Sequence, residues 1–207
     1  MTEDDAKTWV RDRFGVSRET LLARFGDILV AEAEHQNLIA RSTLDSLWGR
    51  HLTDSAQLVP LAGMAGEGAW VDVGSGAGLP GIVAALLTDR PVVLVEPRTK
   101  RVQFLRDAAD KLGIGDRVTV IGSKVESYRP DQPAAIVSAR AVAELSALML
   151  STVHCTDSST VWLLPKGRGA QSEVDAARAK WQGRFHVEPS ITQPDSGIVV
   201  ATQIGAR

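Results

Sequence analysis

A chain of 207 residues holds one well-buried domain with modest extensions and is too short for two large ones. Its 44% hydrophobic and 23% charged residues exclude a disordered or fibrous chain, and the net charge of -2, from 23 basic and 25 acidic side chains, excludes a global positive field. The lone cysteine, Cys155, excludes an internal disulfide framework and a cysteine-built zinc cluster, and fits a reducing, cytoplasmic compartment.

Residues 1–62 read as a helical extension or cap. Leu21, Leu22, Phe25, Ile28 and Leu29 recur at helical spacing, as do Leu44, Trp48, Leu52, Ser55 and Leu58 or Val59. The acidic start (Glu3, Asp4, Asp5) does not read as a signal peptide, and no apolar run is long enough to span a membrane. Gly63–Gly68, with three glycines, separates this part from residues 63–207.

Beyond it the pattern alternates. Strands are expected at Ala69–Val73, Val92–Glu96, Val118–Ile121, Ala134–Val137 and Thr160–Leu164. Helices are expected at Ile82–Leu87, Thr99–Leu112 and Ala143–Leu150. Another is expected at Ala170–Trp181, where Val174, Ala177 and Trp181 share a spacing. Arg184–Glu188 and Ile198–Ile204 lack a full helix between them and read as a closing antiparallel hairpin. The fold class is α/β: a mostly parallel seven-stranded sheet covered on both faces, with an N-terminal helical extension.

The strongest local signal is the run from Val71 to Gly81, between a strand and a helix. Glycines fall at 74, 76, 78 and 81, with Ser75 between the first two. Glycine lets the backbone turn sharply and approach a ligand closely. Glu96 closes the next strand, 22 residues beyond Gly74, where an acid accepts two ribose hydroxyls. The dinucleotide pattern Gly-x-Gly-x-x-Gly fails because position 79 is Leu, and the Lys-Ser/Thr of a phosphate loop is missing. Asp72 would repel a pyrophosphate but tolerate a cationic amino-acid tail. The turn therefore favours S-adenosylmethionine over NAD, and no Tyr-x-x-x-Lys pair supports an oxidoreductase.

Further segments accompany this turn: Asn37-Leu38-Ile39, Arg50-His51-Leu52-Thr53-Asp54-Ser55, Lys100-Arg101-Val102-Gln103-Phe104-Leu105, Ser138-Ala139-Arg140-Ala141 and Pro165-Lys166-Gly167. With them the chain resembles the bacterial 16S ribosomal RNA guanine-N7 methyltransferases, the glucose-inhibited division protein B family, over roughly residues 35 to 170. The resemblance implies a Rossmann-like methyltransferase with a helical N-terminal extension. It implies transfer from S-adenosylmethionine to N7 of one guanine in the 530 loop of 16S ribosomal RNA, as naked RNA or in the small ribosomal subunit. It implies that Gly74, Gly76 and Gly78 line the methionine part of the cofactor and that Glu96 holds the ribose. It likewise places Val125 and Glu126 around the adenine, and Arg140 at the substrate or cofactor edge. One stretch, Glu32-Ala33-Glu34-His35-Gln36, is more polar and acidic than is common in that family.

Guanine N7 already carries a lone pair, so no catalytic base is needed and orientation is the main task. The basic candidates for the substrate are Arg50, His51, Lys100, Arg101, Arg140, Lys166 and Arg168. Lys100 and Arg101 also fit a solvated helix start. Arg140 is the one residue expected to serve catalysis, its planar fork orienting guanine O6 or a phosphate, or it could instead brace the cap. His51 could pair structurally with Asp54 or with the backbone. His35, His154 and His186 suggest no metal set, and no catalytic metal is expected. A small-molecule or protein methyltransferase of the same fold, or a non-catalytic RNA-binding protein, remains compatible with these residues.

Overall fold

The computed structural model describes residues 1–206. Its first helix, α1 (Glu3–Phe14), starts from a reciprocal cap: Thr2 Oγ1 accepts from the Asp5 amide, and the Asp5 carboxylate accepts from the Thr2 amide. Gly15, at φ 84°, breaks the chain between α1 and α2 (Val16–Glu32). The expected helical run to residue 62 is then interrupted. Residues 33–40 turn, Arg41–Ser46 form a 3₁₀ helix, and Trp48–Leu52 form a π turn. Two single-turn helices follow, α3 (Thr53–Ala56) and α4 (Leu58–Leu61).

The sheet comprises β1 (Trp70–Val73), β2 (Val92–Val95), β3 (Val118–Ile121), β4 (Ile136–Ser138), β5 (Val161–Lys166), β6 (Trp181–Pro189) and β7 (Gly197–Ala206). Their order is β3-β2-β1-β4-β5-β7-β6. The first five strands in that order run parallel, while β7 is antiparallel to both β5 and β6. Helices α5 (Gly81–Leu87), α6 (Thr99–Lys111), α7 (Leu145–Thr152) and α8 (Ala170–Ala177) complete the layers. The strand order splits beside β1, with β2 on one side and β4 on the other. In open α/β sheets the crevice for a ligand lies at that point, beyond the carboxyl ends of the strands.

Side-chain alternation sends Trp70 and Leu94 to one face of the sheet and Val71, Val73, Val93 and Val95 to the other. The first face joins Ile82, Val83 and Leu86 of α5 and Leu105 of α6 to Val10, Leu22, Phe25, Leu29 and Leu52 in one apolar cluster. The N-terminal helices therefore share the core of the sheet. The second face packs Leu148, Met149, Val174 and Ala177 against the strands.

Three expected elements move. The helix from Ala170 ends at Ala177, and Trp181 instead opens β6, paired with Ala206. Trp181 still packs in the cluster of Val174 and Ala177, so its apolar spacing reports shared burial rather than continued helix. The fourth strand lies at Ile136–Ser138, and α7 begins at Leu145, whose amide is accepted by Glu173 Oε2 at 2.8 Å.

Gly81, the first residue of α5, marks a close helix–sheet approach. A Cβ there would lie 2.3 Å from Leu94 Cδ2 and 2.8 Å from Asp72 Oδ2. Gly81→Ala is expected to cost about 1–3 kcal/mol by overpacking, read as a lower midpoint in thermal and urea melts. An unchanged midpoint would show that this contact yields without cost.

Candidate active site

The turn after β1 leaves the sheet through three left-handed glycines, Gly74 (φ 67°), Gly76 (φ 54°) and Gly78 (φ 78°). Beneath it lies a buried polar chain. Trp70 Nε1 donates to Ser138 Oγ (2.8 Å), Ser138 Oγ donates to Asp72 Oδ1 (2.6 Å), and the Gly81 amide donates to Asp72 Oδ2 (3.3 Å). Asp72 is fully buried. Burial pushes its pKa up to about 6, opposed by the hydrogen bonds from Ser138 and Gly81 and by the Arg140 charge. Asp72 thus faces the sheet interior and braces the turn from below, rather than meeting a cofactor tail from the cleft as the sequence suggested.

Above the turn opens a cavity of about 650 Å³. Gly74, Ser75, Gly76, Glu96, Val125, Glu126, Arg101 and Arg140 all line it. Gly78 does not; its place is held by packing, since a Cβ there would lie 2.8 Å from Ile82 Cδ1. Glu96 is buried at the end of β2, with Oε2 accepting from the Gly76 amide and Oε1 from the Arg98 amide, both at 2.9 Å. Each oxygen keeps acceptor capacity for a further hydroxyl. A Cβ on Gly76 would meet only Arg101 Nη1 at 3.5 Å and the Gly74 carbonyl at 3.6 Å, so its space is open.

A second cavity, about 770 Å³, lies on the other side of the segment Arg140–Ala143, which lines both. Arg50, His51 and Lys166 line this second cavity. Lys166 Nζ already pairs with Glu173 Oε2 (2.8 Å) and donates to the Ala143 carbonyl (2.7 Å). Arg50 donates to Gln193 Oε1 at 2.8 Å. Arg140 Nη1 approaches Asp54 Oδ2 and the Arg50 carbonyl, and its Nη2 approaches His51 Nδ1, all at 3.4 Å. Burial lowers the Arg140 pKa, offset first by Asp54, and the group stays a cation.

Three of the basic candidates sit elsewhere than this second cavity. Arg101 belongs to the first cavity, 4.0 Å from Glu96. Lys100 is exposed at the start of α6 and lines neither cavity. Arg168 is exposed, paired with Asp195 at 3.1 Å, and also lines neither. His51 does not pair with Asp54: its Nε2 meets Thr43 Oγ1 at 2.7 Å. Burial, with Arg140 and Arg50 nearby, pushes its pKa down to about 4, so it is neutral near pH 7.

Sequence reading passed over Leu38, Arg98, Lys124 and Val142 in the first cavity, and Gln57 and the 190–198 stretch in the second. Gln57 ties these parts together, donating to Ser190 Oγ (3.2 Å) and accepting from the Ile191 amide (2.9 Å). No periodicity marks a contact across more than 130 residues; the one local signal was the polar Gln57 inside an apolar stretch.

The family model for rRNA small subunit methyltransferase G matches residues 18–196. The chain belongs to this methyltransferase family. Ribosomal RNA small subunit methyltransferase G of Rhizorhabdus wittichii is 47% identical over 210 aligned residues, covering 100% of this chain and 95% of the relative. That of Zymomonas mobilis is 46% identical over 213, covering 99% and 95%. Among solved structures, a glycopeptide N-methyltransferase complexed with S-adenosylmethionine aligns with TM-score 0.60 at 12% identity, over 73% of this chain and 87% of that one. At such identity the likeness carries the fold alone, and that fold is the Rossmann-like one of the methyltransferases.

The buried carboxylate of the methyltransferase makes a pH prediction. The Asp72 pKa rises on folding from 3.8 to about 6, so the folded state holds the proton more tightly than the unfolded chain. This group's cost to stability is absent below about pH 4, grows from there towards pH 6 and is constant above. Asp72→Asn removes that slope. Relative to wild type, its melting midpoint should improve steadily between pH 4 and 6.5, whatever the offset at pH 4. Parallel curves would show that Asp72 titrates normally.

Proposed function

We propose that the protein transfers a methyl group from S-adenosylmethionine to N7 of a guanine in the 530 loop of 16S ribosomal RNA. The observation that carries this reading is the pair of cavities sharing one wall, Arg140–Ala143, beside the strand-order switch. The first cavity fits the cofactor: Glu96 has acceptors left for a ribose diol, and the open space at Gly76 is what a close-lying methionine part requires. Val125 and Glu126 line the same cavity, which supports the reading that they frame the adenine. Bound there, S-adenosylmethionine supplies an electrophilic sulfonium methyl group.

The chain's own residues then have little proton chemistry to do, because N7 attacks with a lone pair it already has. Their work is to hold two partners in line, which is worth several orders of magnitude in rate. Arg140, on the shared wall, carries a planar fork of donors suited to guanine O6 or a phosphate. The cations of the second cavity are mostly engaged by Glu173, Asp54 and Gln193. Binding therefore relies on fit to a shaped RNA more than on bulk charge, in keeping with a net charge of -2.

The test is nucleoside analysis of small-subunit RNA treated with pure protein, as naked RNA and as intact subunits, from cells lacking the gene. 7-Methylguanosine at one position is expected; methylation of only small molecules or proteins would overturn the reading. Glu96→Ala should weaken cofactor binding about ten- to a hundredfold in calorimetry, the size of a lost hydrogen bond to a charged group. Arg140→Ala should slow single-turnover transfer about a hundredfold, the size of a lost orientation, with cofactor affinity nearly unchanged. Normal transfer in folded Arg140→Ala protein would remove that role.

A further inference from the structure

The π turn Trp48–Leu52 is an anomaly that the reaction has not yet used. Such turns make up well under 1% of residues and recur at functional sites. This one is pinned from outside: Glu3 accepts from the amides of Trp48 and Gly49 at 2.8 Å each, and Thr53 Oγ1 donates to the Ala6 carbonyl. The turn and the residues just after it present three acceptors of different kinds to one guanidinium. They are the Arg50 carbonyl, His51 Nδ1 and Asp54 Oδ2, each 3.4 Å from a terminal nitrogen of Arg140.

The proton on His51 follows from its neighbours. Thr43 has one hydroxyl hydrogen, and its Oγ1 donates that to the Ala40 carbonyl at 2.6 Å. It must then accept from His51, whose Nε2 lies 2.7 Å away. The ring hydrogen is therefore on Nε2, and Nδ1 keeps a bare lone pair towards Arg140. Asp54 is oriented in the same way: Oδ1 accepts from Thr192 Oγ1 (2.8 Å) and Gln57 Nε2 (3.0 Å), which leaves Oδ2 for Arg140.

We propose that this π turn is a cradle for the Arg140 guanidinium, and that His51 is a positioning residue for methyl transfer. Its bare Nδ1 helps set Arg140 on the wall between the two cavities, and the imidazole itself does not contact the methyl acceptor. The inference rests on reading the cavities as the methyl-transfer site. The charges acting on His51 are Arg140 from beyond β4 and Arg50 from the turn, while Asp54 from α3 meets Arg140. With burial, the two arginines keep the ring neutral down to about pH 4. A neutral ring offers an acceptor where a charged one would offer a cation to phosphate.

The experiment combines His51→Leu, which keeps bulk without polar atoms, and His51→Gln, which keeps a donor and an acceptor, each alone and with Arg140→Ala. Single-turnover methylation of small subunits is read at saturating cofactor, beside cofactor calorimetry and thermal melts. His51→Leu should slow transfer about tenfold and His51→Gln less than about threefold, with cofactor affinity unchanged; in the Arg140→Ala background His51→Leu should add less than about twofold. Equal losses in both backgrounds, or His51→Gln as slow as His51→Leu, would overturn the proposal. So would losses that track the melting midpoint.

Nitrogen NMR of the histidine rings gives a readout independent of activity. His51 should be protonated at Nε2 alone from pH 7 down to pH 5, and Thr43→Val, which leaves the ring in place, should release that tautomer. An Nδ1-protonated ring, or one that titrates near pH 6.5, would also overturn it. Wild-type protein that methylates no RNA would instead sink the reaction proposed above. The ring tautomer and the coupling of melting midpoints between His51→Leu and Arg140→Ala would then decide the cradle alone.

Discussion

Burying the carboxylate of Asp72 where the strand order splits constrains everything around it. A buried acid is costly unless its oxygens are met, and here they are met from two sides: Ser138 at the end of β4 and the Gly81 amide at the start of α5. The bond from Ser138 fixes β4 against β1, while that from Gly81 fixes where the chain re-enters after the glycine turn. Ser138 stands two residues before Arg140, so one interior point sets both the floor of the first cavity and the root of the wall it shares with the second. Ser75 adds to the same point by donating to the Asp72 carbonyl at 2.9 Å.

The N-terminal helices act on that wall from the opposite side. Their apolar side chains complete the core over α5, and their polar side chains meet Arg140 and the stretch between β6 and β7. The first role is common to any helix packed on a sheet. The second gives residues 48–57 a part in the shape of the second cavity, because Asp54 and Gln57 hold Thr192, Ser190 and Ile191 in place. Arg140 is therefore neither unengaged nor tightly braced. Its contacts to the cap are long, and it lines both cavities.

The sheet was legible because its inner parallel strands, buried on both faces, are short runs of mostly apolar residues bounded by glycine or polar turns, and the edge strand β3 keeps the β-branched residues of a strand. The glycine turn and Glu96 were legible because both lie within one strand–turn–helix–strand unit, where sequence distance equals structural order. What failed depends on distance. Trp181 satisfied a helical spacing while belonging to a strand, since burial in one cluster looks alike from either element. Asp72 looked like a ligand contact because sequence shows that an acid is present but not which way it faces. The pairing of His51 with Thr43 rather than Asp54 required the π turn, which no local propensity announces.

The composition of the shared wall follows from the transfer proposed for it. Reacting atoms must come within about 3–3.5 Å, so two binding sites must meet through a gap and not face each other across a thick layer. Between Arg140 and Leu145 the chain has two alanines, Ala141 and Ala143, and only one branched apolar residue, Val142. Ala141 takes a left-handed φ of 56°, uncommon for a residue with a Cβ, and this turns the chain back over the glycine loop. Val142 then leans on Gly74 so closely that a Cβ at 74 would lie 2.7 Å from its Cγ2. Gly74 thus serves twice: its positive φ makes the turn, and its missing side chain lets the wall come down onto it. A bulkier residue at 74 would push the wall outward and move Arg140 with it, disturbing the contact between cavities that the proposed transfer requires.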